Sequence, residues 1–251
     1  MNKYRHEYKY VIDSKQEQVL RLKAAGLMKL DAYAESEGVY RITSLYFDDD
    51  KNSCFYENEN GTDPRSKFRI RYYNDDSAHL KLEKKSKKNG MTLKESCSIS
   101  KEECEQMMKG TIPTVTAQTN EAAAKLFSEM RIRKLLPKVI VSYDRIPYVY
   151  RAGNVRVTFD KNLTSSSEVT RFLTGDYGQR PIMQKGESVL EVKWDELLPL
   201  HIKEHMYLDR LQWSAFSKYY LCRKHNLNGG LNNERINGYY EATIFGRICV
   251  C

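Results

Sequence analysis

No stretch of this sequence approaches the ~20 apolar residues that a membrane-spanning helix needs. No apolar signal-peptide core follows Met1-Asn2-Lys3-Tyr4-Arg5-His6. Together these absences lead us to expect a soluble, cytoplasmic protein. The six cysteines (Cys54, Cys97, Cys104, Cys222, Cys249, Cys251) are scattered and lack CxxC spacing, as expected for reduced thiols. Cys249-Val250-Cys251 has two thiolates for a soft metal, but on a chain end they make a poor site. There is no GxGxxG, no P-loop GK[ST], and no serine in a nucleophile-elbow context, so dinucleotide binding, P-loop chemistry and a Ser/His/Asp triad find no support. His201-Ile202-Lys203-Glu204-His205 fits H-x-x-E-H literally. It closely follows Pro199, however, and only Glu234 and Glu241 remain downstream to complete a zinc site. Internal repeats and heptads are missing too.

What is present is positive charge. The 251 residues hold 41 Lys and Arg against 33 Asp and Glu, a net charge of +8, with a pI near 9.0. Such a surplus favours an anionic partner: nucleotide, nucleic acid, polyphosphate or membrane surface. With 41% hydrophobic and 29% charged residues the composition is globular, and the length suits one large domain or two small ones.

The charge is patterned. In Lys67-Phe68-Arg69-Ile70-Arg71-Tyr72 cations alternate with apolar residues. Six turn-like residues follow, Tyr73 to Ala78, then a second alternation, His79-Leu80-Lys81-Leu82-Glu83-Lys84-Lys85. Strand side chains alternate faces, so Lys67, Arg69 and Arg71 share one face with Lys81, Glu83 and Lys85. Phe68, Ile70, Tyr72, Leu80 and Leu82 take the other. The pattern recurs: Arg5, Glu7 and Lys9 against His6, Tyr8, Tyr10 and Ile12; Thr92, Lys94, Ser96 and Ser98 on one face; Arg156 and Thr158 against Val155, Val157 and Phe159; Glu191 and Lys193 against Leu190, Val192 and Trp194.

Between the strands, Ser14 with Glu17 and Ser100 with Glu103 have capping-box spacing, each opening a helix that a glycine, Gly26 or Gly110, would stop. Val19 and Leu22 serve as apolar points of the first. A third helix is expected over Asn120 to Lys134, and a last from Trp213 to His225. Arg41 to Phe47 and Val139 to Arg145 read as further strands, Asp48-Asp49-Asp50 as a strand-ending turn, and Cys54 to Gly61 as ambiguous. Thr164-Ser165-Ser166-Ser167 reads as an exposed loop, and residues from Asn226 onward as a loosely ordered extension.

A sheet closed into a barrel, apolar outside under helices and charged inside along a channel, accommodates both faces. The fold class expected is α+β: an antiparallel β-barrel tunnel flanked by several helices. Converging cations are costly unless anions occupy the channel. Phosphates suit Arg forks and Lys point charges, and isolated glutamates suit a divalent cation.

These motifs resemble the VTC-type polyphosphate polymerase domain, the catalytic domain of the vacuolar transporter chaperone complex, among the triphosphate tunnel metalloenzymes and relatives of the CYTH proteins. The resemblance covers about Lys3 to Arg223, within an expected domain of residues 1–225. It rests on Arg5-His6-Glu7-Tyr8-Lys9-Tyr10, Ser44-Leu45-Tyr46-Phe47-Asp48, Arg69-Ile70-Arg71, Leu82-Glu83-Lys84-Lys85 and Lys94. It continues through Tyr143-Asp144-Arg145, Val155-Arg156-Val157-Thr158-Phe159-Asp160, Leu190-Glu191-Val192-Lys193 and Phe216-Ser217-Lys218-Tyr219. The resemblance implies transfer of the ATP γ-phosphoryl group to polyphosphate with Mn²⁺ or Mg²⁺. It implies phosphate-binding roles for Lys9, Arg69, Arg71, Lys85, Lys94, Arg145, Arg156 and Lys218, with Glu191 as metal ligand. Lys81, Lys193, Glu7 and Glu83 share the inward faces; we take the two lysines as further phosphate contacts and the glutamates as further metal ligands. ATP and polyphosphate are the expected partners, with no stable nucleic-acid partner. Ala215 stands where a eukaryotic member carries a further lysine. The inositol-phosphate-sensing domain and transmembrane segments of the eukaryotic complex are absent from this sequence, so their control and export are not implied. Two alternatives stay open: a tri- or polyphosphate hydrolase of the same fold, and a non-enzymatic polyphosphate- or RNA-binding module. The single Glu7-Tyr8-Lys9 of the first strand has one carboxylate fewer than the ExExK of CYTH members, which favours the polymerase.

Overall fold

The structure, a computed structural model, describes residues 4–34 and 38–227. In chain order it contains β1 (His6–Ile12), α1 (Ser14–Leu27), β2 (Lys29–Leu30), β3 (Tyr40–Asp48), α2 (Ser53–Glu59), β4 (Arg65–Tyr73), β5 (Asp76–Lys88) and β6 (Met91–Ile99). There follow α3 (Lys101–Met108), α4 (Glu121–Ile132), β7 (Leu136–Tyr150), β8 (Val155–Ser166), β9 (Arg180–Pro181), β10 (Ser188–Trp194), α5 (Leu200–His205) and α6 (Lys218–Leu227). The main sheet runs β1-β10-β8-β7-β3-β4-β5-β6, with β2 on β7 and β9 on β8, and every pairing is antiparallel. It curls until its ends meet: Arg5 N donates to Thr92 O at 2.8 Å and Thr92 N to Arg5 O at 2.9 Å. Beyond that bridge the loop before α6 fills the seam, where Ser214 N donates to Lys9 O at 2.8 Å.

Apolar burial holds the convex side. Leu45, Phe47, Phe68, Ile70, Tyr72, Leu80 and Leu82 pack under Met107 of α3 and Leu126, Phe127 and Met130 of α4. Tyr10, Ile12, Val157, Phe159, Leu190 and Val192 pack under Leu20 and Ala24 of α1 and Ile202 of α5. Each such large side chain contributes roughly 1.5–3 kcal/mol when fully buried. The anticipated arrangement, apolar outside and charged inside, therefore holds for β1, β4, β5, β8 and β10.

In β3 and β7 it does not. Ile42 and Tyr46 of β3, with Val139, Val141 and Tyr143 of β7, are apolar on the concave side as well, and Phe216, Tyr219 and Cys222 of the α6 region pack onto them. Helix α6 is thus a plug on the inner wall. Asp48 ties it down: buried, it accepts from Cys54 N at 2.8 Å, Phe55 N at 3.1 Å and Tyr219 Oη at 2.5 Å.

Several boundaries differ from the sequence reading. α1 is capped one residue earlier, by Asp13 with Gln16 rather than Ser14 with Glu17, and Gly26 lies inside it. Its phase differs too: Val19 and Leu22 are exposed while Glu17, Leu20 and Ala24 are buried. The Ser100–Glu103 box forms as expected, and Asn120 caps α4. The central hairpin is tighter than six turn residues, with only Asn74 and Asp75 between strands, at φ 50° and 56°. Left-handed conformations at both centres match the strand twist, the geometry of a type I′ hairpin turn. Residues 164–166 are strand, with Ser165 and Ser166 buried, because β8 pairs there with β7 and β9. The last helix starts at Lys218, since Trp213 and Ser214 are held extended against β1. Asn226, expected to begin a loose extension, lies within the last turn of α6, which ends at Leu227; residues 228–251, with Cys249 and Cys251, lie outside the described residues. Among those described, no helix is long and apolar enough to cross a membrane.

Candidate active site

Register places the cations. In the β4–β5 pair Lys67 faces Lys85, Arg69 faces Glu83 and Arg71 faces Lys81, and β6 sets Lys94 beside Lys85. On the opposite wall Glu7 pairs with Lys193 and Lys9 with Glu191, while Arg145 faces Asp160. All of these lie on the concave face by strand alternation. Lys218 joins them from the first turn of α6.

Three knots of charge result. In the first, Glu83 is fully buried and bonded to Arg69 at 2.7 and 2.8 Å, with Arg71 at 3.7 Å and Lys94 at 3.2 Å. Arg71 also donates to Ser44 Oγ at 3.2 Å and Tyr143 Oη at 3.3 Å, and Arg69 to Tyr46 Oη at 2.9 Å. Burial raises the Glu83 carboxyl, but Arg69 and Arg71 outweigh it and hold it well below the usual range.

In the second, Arg145 grips Asp160 through two bonds of 2.6 and 2.7 Å, and Lys218 Nζ reaches the same carboxylate at 2.5 Å. Burial works against both charges; Arg145 and Lys218 nonetheless keep Asp160 ionised, its carboxyl lowered. Tyr143 lies beneath, with Lys218 Nζ 4.6 Å and the Arg145 guanidinium 5.4 Å from its ring. Against its own burial, Arg145 and Arg71 lower its phenol.

The third holds Glu7 and Glu191 among Lys9, Lys85 and Lys193. Lys85 meets Glu7 at 2.6 Å, Lys9 meets Glu7 at 3.0 Å and Glu191 at 3.7 Å, and Lys193 meets Glu191 at 2.5 Å and Glu7 at 3.5 Å. Both carboxyls are lowered despite burial, Glu7 chiefly by Lys85 and Lys9 and Glu191 chiefly by Lys193 and Lys9. Here the ammonium groups outnumber the carboxylates. Burial, with Lys9 and Lys193 nearby, pushes Lys85 down to about 7 even against Glu7.

The carboxylates fit a cation shared with a phosphate substrate rather than a closed cage. Glu191 Oε1 is buried and receives no hydrogen bond in good geometry, although Lys193 Nζ stands 2.5 Å away. Glu7 is beside it through shared lysines. Among the described residues no group of three or more His, Cys, Asp or Glu side chains converges. A Mg²⁺-like ion often takes one or two carboxylates and completes its shell from phosphate oxygens and water. Glu83, expected with the other two glutamates, belongs to a different knot and shares no ion-pair partner with them.

Of the expected site residues, Arg156 and Lys81 stand apart. Arg156 turns to the rim and pairs with Asp31 at 2.5 Å, its side chain 40% exposed. Lys81 is exposed beyond Arg71, and Lys94, on the edge strand, is largely exposed although its ammonium reaches Glu83. Asp160 carries no role in the sequence reading, yet continuing the alternation of Arg156 and Thr158 by one step puts it on the inner face. The H-x-x-E-H segment lies on α5, where His201 bonds Tyr150 Oη at 3.2 Å.

One end of the face opens into a cavity of about 100 Å³, lined by Lys9, Lys67, Lys85, Arg65, Lys87 and the loop from Trp213 to Ser217, among others. Lys67 is its unusual member: its Nζ donates to Asn58 Oδ1 at 2.6 Å and Ser217 Oγ at 2.7 Å, both neutral. Burial, then Lys9 and Arg65, push its ammonium well below the ordinary lysine value.

A profile of the VTC domain matches residues 4–225. The chain belongs to the VTC domain family. No curated protein matches it significantly. Among solved structures, an adenylyl cyclase candidate from Hippeastrum, described with a dominant triphosphatase activity, superposes with a TM-score of 0.51 at 13% identity, covering 89% of this chain and 96% of that one. An adenylate cyclase candidate from Bacillus halodurans gives a TM-score of 0.50 at 12% identity, over 86% of this chain and 95% of its own. At such identities the likeness is one of fold: the tunnel fold with its curled antiparallel sheet.

Proposed function

We propose that this VTC-domain protein is a polyphosphate polymerase, moving the γ-phosphoryl group of ATP onto the end of a polyphosphate chain. The observation that carries the proposal is the surplus of buried and half-buried cations over carboxylates on one concave face. Two polyanions must approach one another here, and only such a surplus offsets their repulsion. A terminal phosphate oxygen of the acceptor attacks the γ-phosphorus, and the bond from that phosphorus to the β,γ-bridging oxygen breaks. ADP leaves with the electron pair. A phosphate acceptor is already a nucleophile at neutral pH, so the chain need supply only alignment and charge neutralisation. Arg69, Arg71, Arg145 and Lys218 are placed for that, their forks held by Glu83, Asp160, Tyr46 and Tyr143. Lys9, Lys85 and Lys193 serve the phosphates nearest Glu7 and Glu191, with Lys81, Lys94 and Arg156 as outlying contacts towards the rim. Glu7 and Glu191 would hold a divalent ion, Mn²⁺ or Mg²⁺, whose chemistry there would be Lewis-acid neutralisation of phosphate charge.

Hydrolysis of tri- or polyphosphate is the second reading, favoured by the triphosphatase activity described for the Hippeastrum neighbour. Glu7, wrapped by three lysines, is poorly placed as a base for water. Incubating the pure protein with ATP and Mn²⁺ and resolving products on a polyphosphate gel separates the readings. Ladders are expected. Free phosphate alone assigns the hydrolase, and no product at all assigns a binding module.

A further inference from the structure

We propose that the indole of Trp213 is the platform on which the base of the donor nucleotide stacks, an inference that rests on the phosphate-binding role of the concave face. Trp213 is bridged to Tyr10 of β1, and its side chain is largely exposed at 56%. Tyr8 braces it edge-on, ring centroids 6.3 Å apart, and Tyr8 in turn lies 4.9 Å from Trp194. Trp213 is thus an exposed indole whose face is free and whose orientation is held by a neighbouring ring.

The cavity that Trp213 borders says what that face would take. At about 100 Å³ it takes phosphoryl groups but not a nucleoside, since pockets for molecules of that size run to roughly 300 Å³ or more. Its half-buried Lys67 has only neutral hydrogen-bond partners and so lacks an anion. A nucleotide entering phosphates first leaves its ribose and base outside, over residue 213. Stacking reads the π-face and not the base edge, so the site accepts ATP and GTP alike and favours purines over the smaller pyrimidines.

The test is calorimetric titration of the full chain with two probes, the β,γ-imido analogue of ATP and inorganic tripolyphosphate. Trp213→Ala should weaken the nucleotide on the order of 10-fold and leave tripolyphosphate unchanged, while Trp213→Phe restores most of the loss. Of the two tryptophans, Trp194 is buried, so indole emission should respond to the nucleotide and not to tripolyphosphate. An equal loss for both probes, or none for the nucleotide, overturns the platform. So does a wild-type chain that binds tripolyphosphate but not the nucleotide, and that result leaves the phosphate reading standing. Binding of neither probe sinks both.

Discussion

The centre of the concave face and its mouth use the same kind of residue in opposite company. At the centre Arg69, Arg71 and Arg145 each lie against a buried carboxylate, Glu83 or Asp160. At the mouth Lys67 has an amide and a hydroxyl. A cation bonded to a buried carboxylate is held rigid before substrate arrives; a cation with only neutral partners is a cost that an incoming anion removes. The centre is therefore built for geometry and the mouth for capture.

Removing a central fork should have the largest effect. Arg71→Ala leaves Glu83 paired with Arg69 and Lys94, so the fold survives while turnover falls about 100- to 1000-fold, as when one transition-state donor is lost. Steady-state rates beside an unfolding curve check both halves of that statement. Next comes the anchor that holds the plug: Asp48→Ala strands the amides of Cys54 and Phe55 and frees Tyr219. We expect it to lower unfolding stability by roughly 2–3 kcal/mol in urea titrations.

At the mouth, Lys67→Met should weaken tripolyphosphate about 10-fold yet leave the ligand-free chain no less stable. The sign with pH follows from linkage. Lys67's ammonium is lowered on folding, so between its folded value and the ordinary lysine value the unfolded chain holds the extra proton. Stability from this residue rises with pH across that window, and below it the full cost remains. Unfolding curves at about pH 7 and about pH 9 should show the rise in wild type and a flatter one in Lys67→Met; a steeper rise in the variant would contradict the assignment. The smallest effect belongs to a change on neither region. Asp13→Ala, at the cap of α1 on the convex side, should cost about 1 kcal/mol and leave activity alone.

Much of this was legible because strand alternation is strict where one face is apolar. That Lys67, Arg69 and Arg71 share a face with Lys81, Glu83 and Lys85 follows from period two, while the register that pairs them is set by the two-residue turn at Asn74 and Asp75. Failures came where that period carries no information. β3 is buried on both faces, so nothing in Arg41 to Phe47 announces that α6 covers one of them. Arg156 alternates inward, but only the tertiary position of Asp31 turns it to the rim. A shared inner face does not tell which carboxylate meets which cation, so the sequence alone neither separates Glu83 from Glu7 and Glu191 nor marks Asp160 as the partner of Arg145.

The central claim is that converging cations, with Arg71 among them, hold a phosphate chain in the curled sheet. Titrating tripolyphosphate into wild type and Arg71→Ala in parallel, at low salt, tests it most directly. The account predicts saturable binding that weakens as salt rises and is at least about 10-fold weaker in the variant. Equal affinity in the two proteins would contradict it.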